Sequence, residues 1–588
     1  MIAANLHLRW AELLIDGLVS AGVRELVASP GSRSAPLVLA AGARADLRVT
    51  VLVDERVAAF FALGQAKATG QPTALVCTSG TAGAHYLPAV LEADEAGVPL
   101  VVVTADRPPE AHHRKAAQTT EQRGYFAGHV RLHTDLGTPH PDERALRGVR
   151  VTAALAAARA VGPDPGPVHL NAPFRKPLEP VPENAADPEL AAVARRIAAE
   201  PLPAVGRPVA DPDPEAVLAL AEQLRHEPRG VLLAGPGPLG RSAAAAARLA
   251  HRLGYPLLAE TASQLRWAQP GAAPVPLDLL APDALAPRPG EPRVILQLGL
   301  PVVSAAWQRF LESGPACRRW VLGGSGWPDP WGGAAGFVGG DPDRVVGALL
   351  DALGGAGPSD DAWASAWAKA ASDVAGVLAG WRDAERKRSE LSELGAAWAA
   401  IEALPPGSLL VLGNSLAVRE VDLVPASPPT GVGVLHQRGV AGIDGLIAGA
   451  AGAAHASSRP TLALVGDLAA VHDLGGLAAA RQVASPLVIV VLANRGGRIF
   501  ELLPLAAGGV AEAVVERLFL TPVEVDLASA AAAFGVRHHR AAHADELAAA
   551  LTSAFGSPGP TVVEAVISGP GARARWTALR ERARAVRA

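Results

Sequence analysis

LALVGDLAAVHDLGG, residues 462–476, joins an apolar run to Gly466-Asp467 and then to a stretch of helical character. A short apolar run without polar alternation reads as a strand buried on both faces of a parallel sheet. A carboxylate at the end of such a strand is costly to bury unless a cation or several donors meet it. The pattern recurs downstream. PLVIVVLAN, 486–494, is a second apolar run, ending in Asn494-Arg495-Gly496-Gly497. Asp467 and Asn494 lie 27 residues apart. In a parallel sheet, strand ends one crossover apart sit side by side, and ligands bind at that edge. A carboxylate, an amide oxygen and a nearby backbone carbonyl are hard oxygen donors. They suit an octahedral Mg²⁺ that also takes diphosphate oxygens. The glycines after Asn494 let the backbone approach a phosphate closely. Taken singly, Asp467 reads as a helix cap and Asn494 as a turn residue.

Outward from this core the alternation continues. In the first third, strands are predicted at 25–28, 51–53, 73–77 and 99–104, with amphipathic helices at 8–22 and 56–69. Pro-rich sequence at 171–189 and 202–215 reads as a linker. The middle third predicts strands at 230–234, 256–259, 294–299 and 320–324, with a helix at 242–253. Gly-rich sequence at 324–340 and 354–361 leads into a long helical linker over 362–402. The last third predicts strands at 408–413, 461–466, 486–494 and 561–567. The class is α/β, with three Rossmann-like parallel-sheet domains. The expected division is 1–185, 205–355, the helical linker 356–402, and 403–588.

Bulk properties exclude several alternatives. At 588 residues the chain is too long for one core. Hydrophobic residues at 49% against 19% charged describe a well-buried globular chain. A formal charge of -4 with interspersed signs argues against nucleic acid or an anionic membrane as partner. Two cysteines, Cys77 and Cys317, give neither a disulfide framework nor metal-ligand spacing, which fits a reducing cytoplasm. Arg9, Glu12 and Asp16 stand where a signal peptide would need an apolar core. No uncharged apolar run approaches the roughly 20 residues needed to span a bilayer.

Several other turns carry candidate chemistry. DER (54–56) ends one predicted strand, with Glu55 at the junction to a helix. By itself Glu55 reads as a charge favouring the helix N-terminus. ASPGSRSAPL (28–37) offers Ser32 and Arg33, ADRPPE (105–110) offers Arg107, and Gln118 follows. GNSLAVRE (413–420) offers Ser415 and Arg419; QRGVAGIDG (437–445) offers Arg438 and Ile443. Four arginines near strand ends suit a substrate with several carboxylates, because guanidinium forks bind them in bidentate fashion and stay charged when desolvated. Any one of them alone reads as half of a surface ion pair. AGPGPLG also carries GxGxxG at Gly235, Gly237 and Gly240, with Glu260 after the next strand, a dinucleotide-site pattern. Pro236 and Pro238 argue against it, since neither has an N–H for a pyrophosphate.

The Gly-Asp…Asn spacing resembles the thiamine diphosphate motif, with Leu468 and Ala493 where many members have Gly and Asn. SPGSRSAPL, DERVAAFFALG, ADRPPE, GNSL..R, RG..GIDG, GDL...HDL and NRGGRIFELLP, in order along the whole chain, resemble the 2-succinyl-5-enolpyruvyl-6-hydroxy-3-cyclohexene-1-carboxylate synthase family. The resemblance implies the thiamine diphosphate enzyme fold and a transferase of menaquinone biosynthesis. That activity decarboxylates 2-oxoglutarate and adds the succinyl semialdehyde equivalent to isochorismate in a conjugate, 1,4 sense. It implies Glu55 as the catalytic group facing the aminopyrimidine ring. Asp467, Asn494 and the Gly496 carbonyl would hold Mg²⁺ or Mn²⁺. Gly466, Leu468, Ile443, Ile499 and Phe500 would line the cofactor. Arg419 and Arg438 would hold carboxylates near the thiazolium, with Ser415 lining the site. Ser32, Arg33, Arg107 and Gln118 would hold isochorismate. A homodimer or homotetramer is implied, the glutamate and metal halves meeting across a dimer interface. One departure stands out: Ala305 occupies the position of an expected lysine, leaving open a slipped alignment, substitution by Arg309, or weaker isochorismate binding. The alternative within the class is another thiamine diphosphate-dependent 2-oxoacid decarboxylase or carboligase.

Overall fold

A computed structural model describes residues 2–202, 206, 208–268, 277–280, 290–355, 358, 360–388, 390–424, 428–569 and 571–586. Parts of the expected linkers, at 203–205, 207, 356, 357, 359 and 389, lie outside them. The chain divides into two compact units. One runs to Pro208 and takes in Gln437–Ser458 and His472–Ser485; the other comprises Val209–His436, Arg459–Val471 and Pro486–Ala588.

The first unit opens with β1 (Ile2–Ala3) and is built on six parallel strands. These are β2 (Glu25–Ala28), β3 (Arg48–Val51), β4 (Thr73–Cys77), β5 (Leu100–Asp106), β6 (His133–Asp135) and β7 (Val168–Pro173), in the order β3-β2-β4-β5-β7-β6. A separate antiparallel pair joins β1 to β8 (Val181–Pro182). Strands β4, β5 and β7 are buried throughout because helices cover both faces. The strand expected at 51–53 begins earlier, at Arg48, and ends at Val51. Val53 is 84% exposed, and Asp54 caps the next helix, Glu55–Thr69, by accepting from the Val57 N–H at 3.1 Å. That helix packs against Leu446–Ser457 almost backbone to backbone. A Cβ on Gly64 would fall 1.9 Å from the Gly449 carbonyl, and one on Gly452 would fall 1.9 Å from that of Phe61. Small residues along 445–454 are therefore a packing requirement.

The second unit holds two parallel sheets. The first comprises β9 (Gly230–Ala234), β10 (Leu257–Ala259), β11 (Val294–Leu298), β12 (Arg318–Leu322) and β13 (Ala334–Val338), in the order β10-β9-β11-β12-β13. The second comprises β14 (Leu409–Leu412), β15 (Gly433–His436), β16 (Thr461–Gly466), β17 (Leu487–Ala493), β18 (Arg537–Ala541) and β19 (Pro560–Val566), in the order β15-β14-β16-β17-β19-β18. The expected continuous helical linker is two helices, Asp361–Glu385 and Glu393–Glu402. The break is chemical: Ser392 Oγ donates to Glu385 at 2.6 Å and accepts from the Gly395 N–H at 3.0 Å, ending one helix and capping the next. In register, β16 and β17 pair Gly466 with Leu492, which puts Asp467 and Asn494 at one edge of the sheet.

Candidate active site

Asp467 is 5% exposed, yet its carboxylate is well supplied with donors. The Leu468 N–H reaches Oδ1 at 2.7 Å and the Gly496 N–H reaches Oδ2 at 2.9 Å. Burial still raises its pKa above the ordinary carboxylate value, against those N–H groups. The loop that supplies Gly496 needs glycine there. Its φ is +115°, and a Cβ would lie 2.0 Å from the Leu520 carbonyl. Asn494 presents its amide NH₂ to Glu393 at 3.3 Å, while its Oδ1 is buried with no hydrogen-bond partner among the described residues. Arg498 Nε holds the Asn494 main-chain carbonyl at 2.9 Å, and the Gly496 carbonyl accepts from the Arg498 N–H at 2.8 Å. An orphaned amide oxygen beside a buried carboxylate is the donor set a hard divalent cation completes. After the loop, Phe500 packs edge-to-face on Phe519, centroids 5.7 Å apart, and Ile499 packs against the core. Gly466 and Leu468, either side of Asp467, are half-buried.

Ser415 and Arg419 lie in the same unit. Ser415 sits at φ 64°, and its carbonyl accepts from Arg419 Nη1 at 2.6 Å. Burial lowers the Arg419 pKa, opposed by Asp278, Glu260 and Asp422. Arg419 borders a cavity of about 140 Å³ that Ala305, Arg309, Ile499, Leu502 and Arg580 also line. The carboxylates on that wall are engaged. Glu260 accepts the N–H groups of Val303 and Ser304 at 2.9 and 2.8 Å, and Asp278 pairs with Arg580 at 2.6 Å. Arg309 is exposed and makes no ion pair among the described residues. Sequence reasoning missed Arg580; the arginine-rich C-terminal stretch was its only signal. The GxGxxG turn is built for packing. A Cβ on Gly235 would lie 2.0 Å from the Leu300 carbonyl, and Glu260 is committed to the chain after β11.

In the first unit, Glu55 is half-buried at the start of its helix. The neighbouring Arg56 donates to the His472 carbonyl at 3.1 Å. Arg438 and Ile443 belong to a loop fastened by Glu92, which accepts the Gly439 and Val440 N–H groups at 3.1 and 2.8 Å and pairs with Lys67 at 2.8 Å. Arg33, Arg107 and Gln118 come together beyond the ends of β2 and β5, while Ser32, just before Arg33, is exposed. The Arg33 N–H donates to Thr78 Oγ1 at 3.3 Å, and its Nη1 donates to the Phe174 carbonyl at 2.6 Å. Burial and the neighbouring Arg107 lower the Arg33 pKa. Arg107 Nη2 reaches Gln118 Oε1 at 3.4 Å. Among the described residues no carboxylate hydrogen-bonds either guanidinium, so the pair is open to an anion. Behind it runs a buried polar network missed from sequence. Asp106 Oδ1 accepts the Arg107 N–H at 2.7 Å, Asn171 donates to Asp106 Oδ2 at 3.0 Å, Gln122 donates to Asn171 at 3.0 Å, and the Gly80 N–H donates to Gln122 at 3.2 Å.

A family model described as "Thiamine pyrophosphate enzyme, N-terminal TPP binding domain" matches residues 8–124, and "Thiamine pyrophosphate enzyme, C-terminal TPP binding domain" matches 429–565. Fold and site together therefore define a thiamine diphosphate enzyme. Over the full chain the likeness narrows. A protein of Sorangium cellulosum named 2-succinyl-5-enolpyruvyl-6-hydroxy-3-cyclohexene-1-carboxylate synthase is 43% identical, covering 96% of this chain and 94% of its own. Proteins of the same name from Halorubrum lacusprofundi and Geobacillus kaustophilus are 37% and 38% identical, covering 96% and 90% of this chain and 95% and 89% of theirs. The chain belongs to the 2-succinyl-5-enolpyruvyl-6-hydroxy-3-cyclohexene-1-carboxylate synthase family. The X-ray structure of a candidate thiamin diphosphate-dependent enzyme isolated from Mycobacterium smegmatis superposes with a TM-score of 0.70 at 18% identity, covering 96% of this chain and 99% of that one. It shares the fold.

Proposed function

We propose that the protein decarboxylates 2-oxoglutarate and adds the resulting succinyl semialdehyde carbanion equivalent to isochorismate, the menaquinone-pathway step for which its relatives are named. Bound thiamine diphosphate supplies the nucleophilic carbon and the electron sink that the reaction requires. The observation that carries the reading is the pairing at adjacent strand ends of the buried Asp467 carboxylate with the partnerless Asn494 Oδ1. In this reading Asp467, Asn494 and the Gly496 carbonyl hold Mg²⁺ or Mn²⁺ against the diphosphate, flanked by Gly466 and Leu468. Glu55 holds a proton at the aminopyrimidine ring nitrogen. Ile443, Ile499 and Phe500 shape the cofactor pocket. Arg419 and Arg438 take carboxylates beside the thiazolium, Ser415 completes that wall, and Ser32, Arg33, Arg107 and Gln118 take isochorismate. Arg309, unpaired on the cavity wall one helical turn beyond Ala305, stands in for the expected lysine.

The same reading assigns domains at 1–185, 205–355, 356–402 and 403–588, a homodimer or homotetramer as the active assembly, and a cytoplasmic enzyme. Among the described residues no helix is long and apolar enough to cross a membrane. The test is release of CO₂ from 2-oxoglutarate by protein stripped with a chelator. Release should need both thiamine diphosphate and a divalent cation, and release without either would sink the proposal.

A further inference from the structure

We infer that Glu393 and Arg575 are positioning residues for the metal-binding oxygen of Asn494, and that Glu420 extends the same buried chain of charges to the helix carrying Arg419. The inference rests on the thiamine-enzyme reading above. An asparagine amide has a donor end and an acceptor end, whereas a carboxylate only accepts. Glu393 Oε1 therefore selects the NH₂ of Asn494, at 3.3 Å, and leaves Oδ1, buried and without a partner among the described residues, as the free end of the amide. A carboxylate behind the amide also polarises it, which strengthens its oxygen as a cation ligand.

Glu393 is itself 2% exposed and needs a counter-charge. Arg575, 1% exposed, supplies it through Nη1 at 2.5 Å. Its Nη2 reaches Glu420 at 2.5 Å, and Trp576 Nε1 joins at 3.3 Å. Glu420 is fully buried and follows Arg419 in the helix Leu416–Leu423. A buried ion triad is weak evidence for stability, since well-packed apolar residues often serve as well or better. This one ties together the metal loop, the C-terminal helix and the Arg419 helix, so orientation is the function that accounts for it.

The test measures the Mg²⁺ concentration that half-saturates thiamine diphosphate binding to the full chain, by calorimetry, beside the thermal midpoint of the protein free of both. Glu393→Gln lets a side-chain amide turn either end toward Asn494. Half-saturating Mg²⁺ should rise about 10- to 100-fold, the range for loss of an outer-shell partner, with the free-protein midpoint nearly unmoved. Asn494→Asp sets two carboxylates face to face and should also weaken metal binding. Combining them restores a donor–acceptor pair with the roles exchanged, and should recover most of the loss; a structural role would not produce this rescue. Glu420→Gln should raise the KM for 2-oxoglutarate. Wild-type Mg²⁺ dependence in Glu393→Gln would overturn the proposal, as would a double variant no better than Asn494→Asp, a comparison that holds even if Glu393→Gln alone fails to fold. An unchanged KM in Glu420→Gln would overturn the extension to Arg419. Wild-type protein that binds the cofactor equally well without metal would overturn the underlying reading and this proposal with it.

Discussion

Replacing Asn494 by Ala separates stability from function, and the structure gives the sign of each. In the free protein, Asn494 contributes one hydrogen bond to a charged group, Glu393, worth about 1.5–3 kcal/mol. Against this stands a buried carbonyl oxygen with no partner, whose desolvation costs about 1–3 kcal/mol. The two nearly cancel, so Asn494→Ala should unfold within a few degrees of wild type when both lack metal and cofactor. With Mg²⁺ and thiamine diphosphate at about 100 times the wild-type Kd, the wild type gains about 2.7 kcal/mol by mass action. The variant, missing one of the three proposed protein ligands, should gain little. Thermal unfolding followed by tryptophan fluorescence, with and without the two additives, reads both effects. A variant that is strongly destabilised when free, or that gains as much as wild type when loaded, would refute the reasoning.

Three further outcomes are expected. Glu55→Gln should bind thiamine diphosphate normally but lose about 10²- to 10⁴-fold in kcat, the range for general acid–base groups; unchanged turnover would end the proton-holding role. Arg309→Ala should raise the KM for isochorismate about 10-fold or more, the loss of one charged hydrogen bond, and Ala305→Lys in that background should recover part of it. If steady-state kinetics show no change, Arg309 is only a surface cation. Buried His169 has its pKa pushed down to about 3 by desolvation and the neighbouring His133. An unfolded histidine protonates near 6.5, so in the window from pH 6.5 to about 3 the unfolded state binds the extra proton. Stability should therefore fall with acidification, by about 2 kcal/mol at pH 5 from this group. Denaturant melts of His169→Gln should show a shallower decline between pH 6.5 and 5, and an identical slope would contradict the assignment.

What the sequence disclosed follows from where each element sits. The strands β4, β5, β9, β11, β14, β16 and β17 are interior to their sheets, buried on both faces, and read as apolar runs. Of those overlooked, β6, β13, β15 and β18 are edge strands, β1 and β8 form only a two-stranded pair, and β3, misplaced by a few residues, is another edge strand. Edge strands tolerate charge and glycine, as RHHRA in β18 and AAGFV in β13 illustrate, so their pattern is weak. The interior strand β7 was hidden for a different reason: His169 and Asn171 break its apolar run because they belong to the polar network behind Arg107. The neighbouring positions of Asp467 and Asn494 were legible because both residues follow consecutive apolar strands of one sheet. The Glu393–Arg575 contact was not, since 182 residues separate its partners and nothing local marks either one.

The most direct test of the central claim is the loss of isochorismate absorbance in a mixture of purified protein, thiamine diphosphate, Mg²⁺, 2-oxoglutarate and isochorismate, with each small molecule omitted in turn. The account predicts loss only when all four are present. Isochorismate that stays intact while 2-oxoglutarate releases CO₂ would contradict it and make the chain a thiamine decarboxylase with a different acceptor.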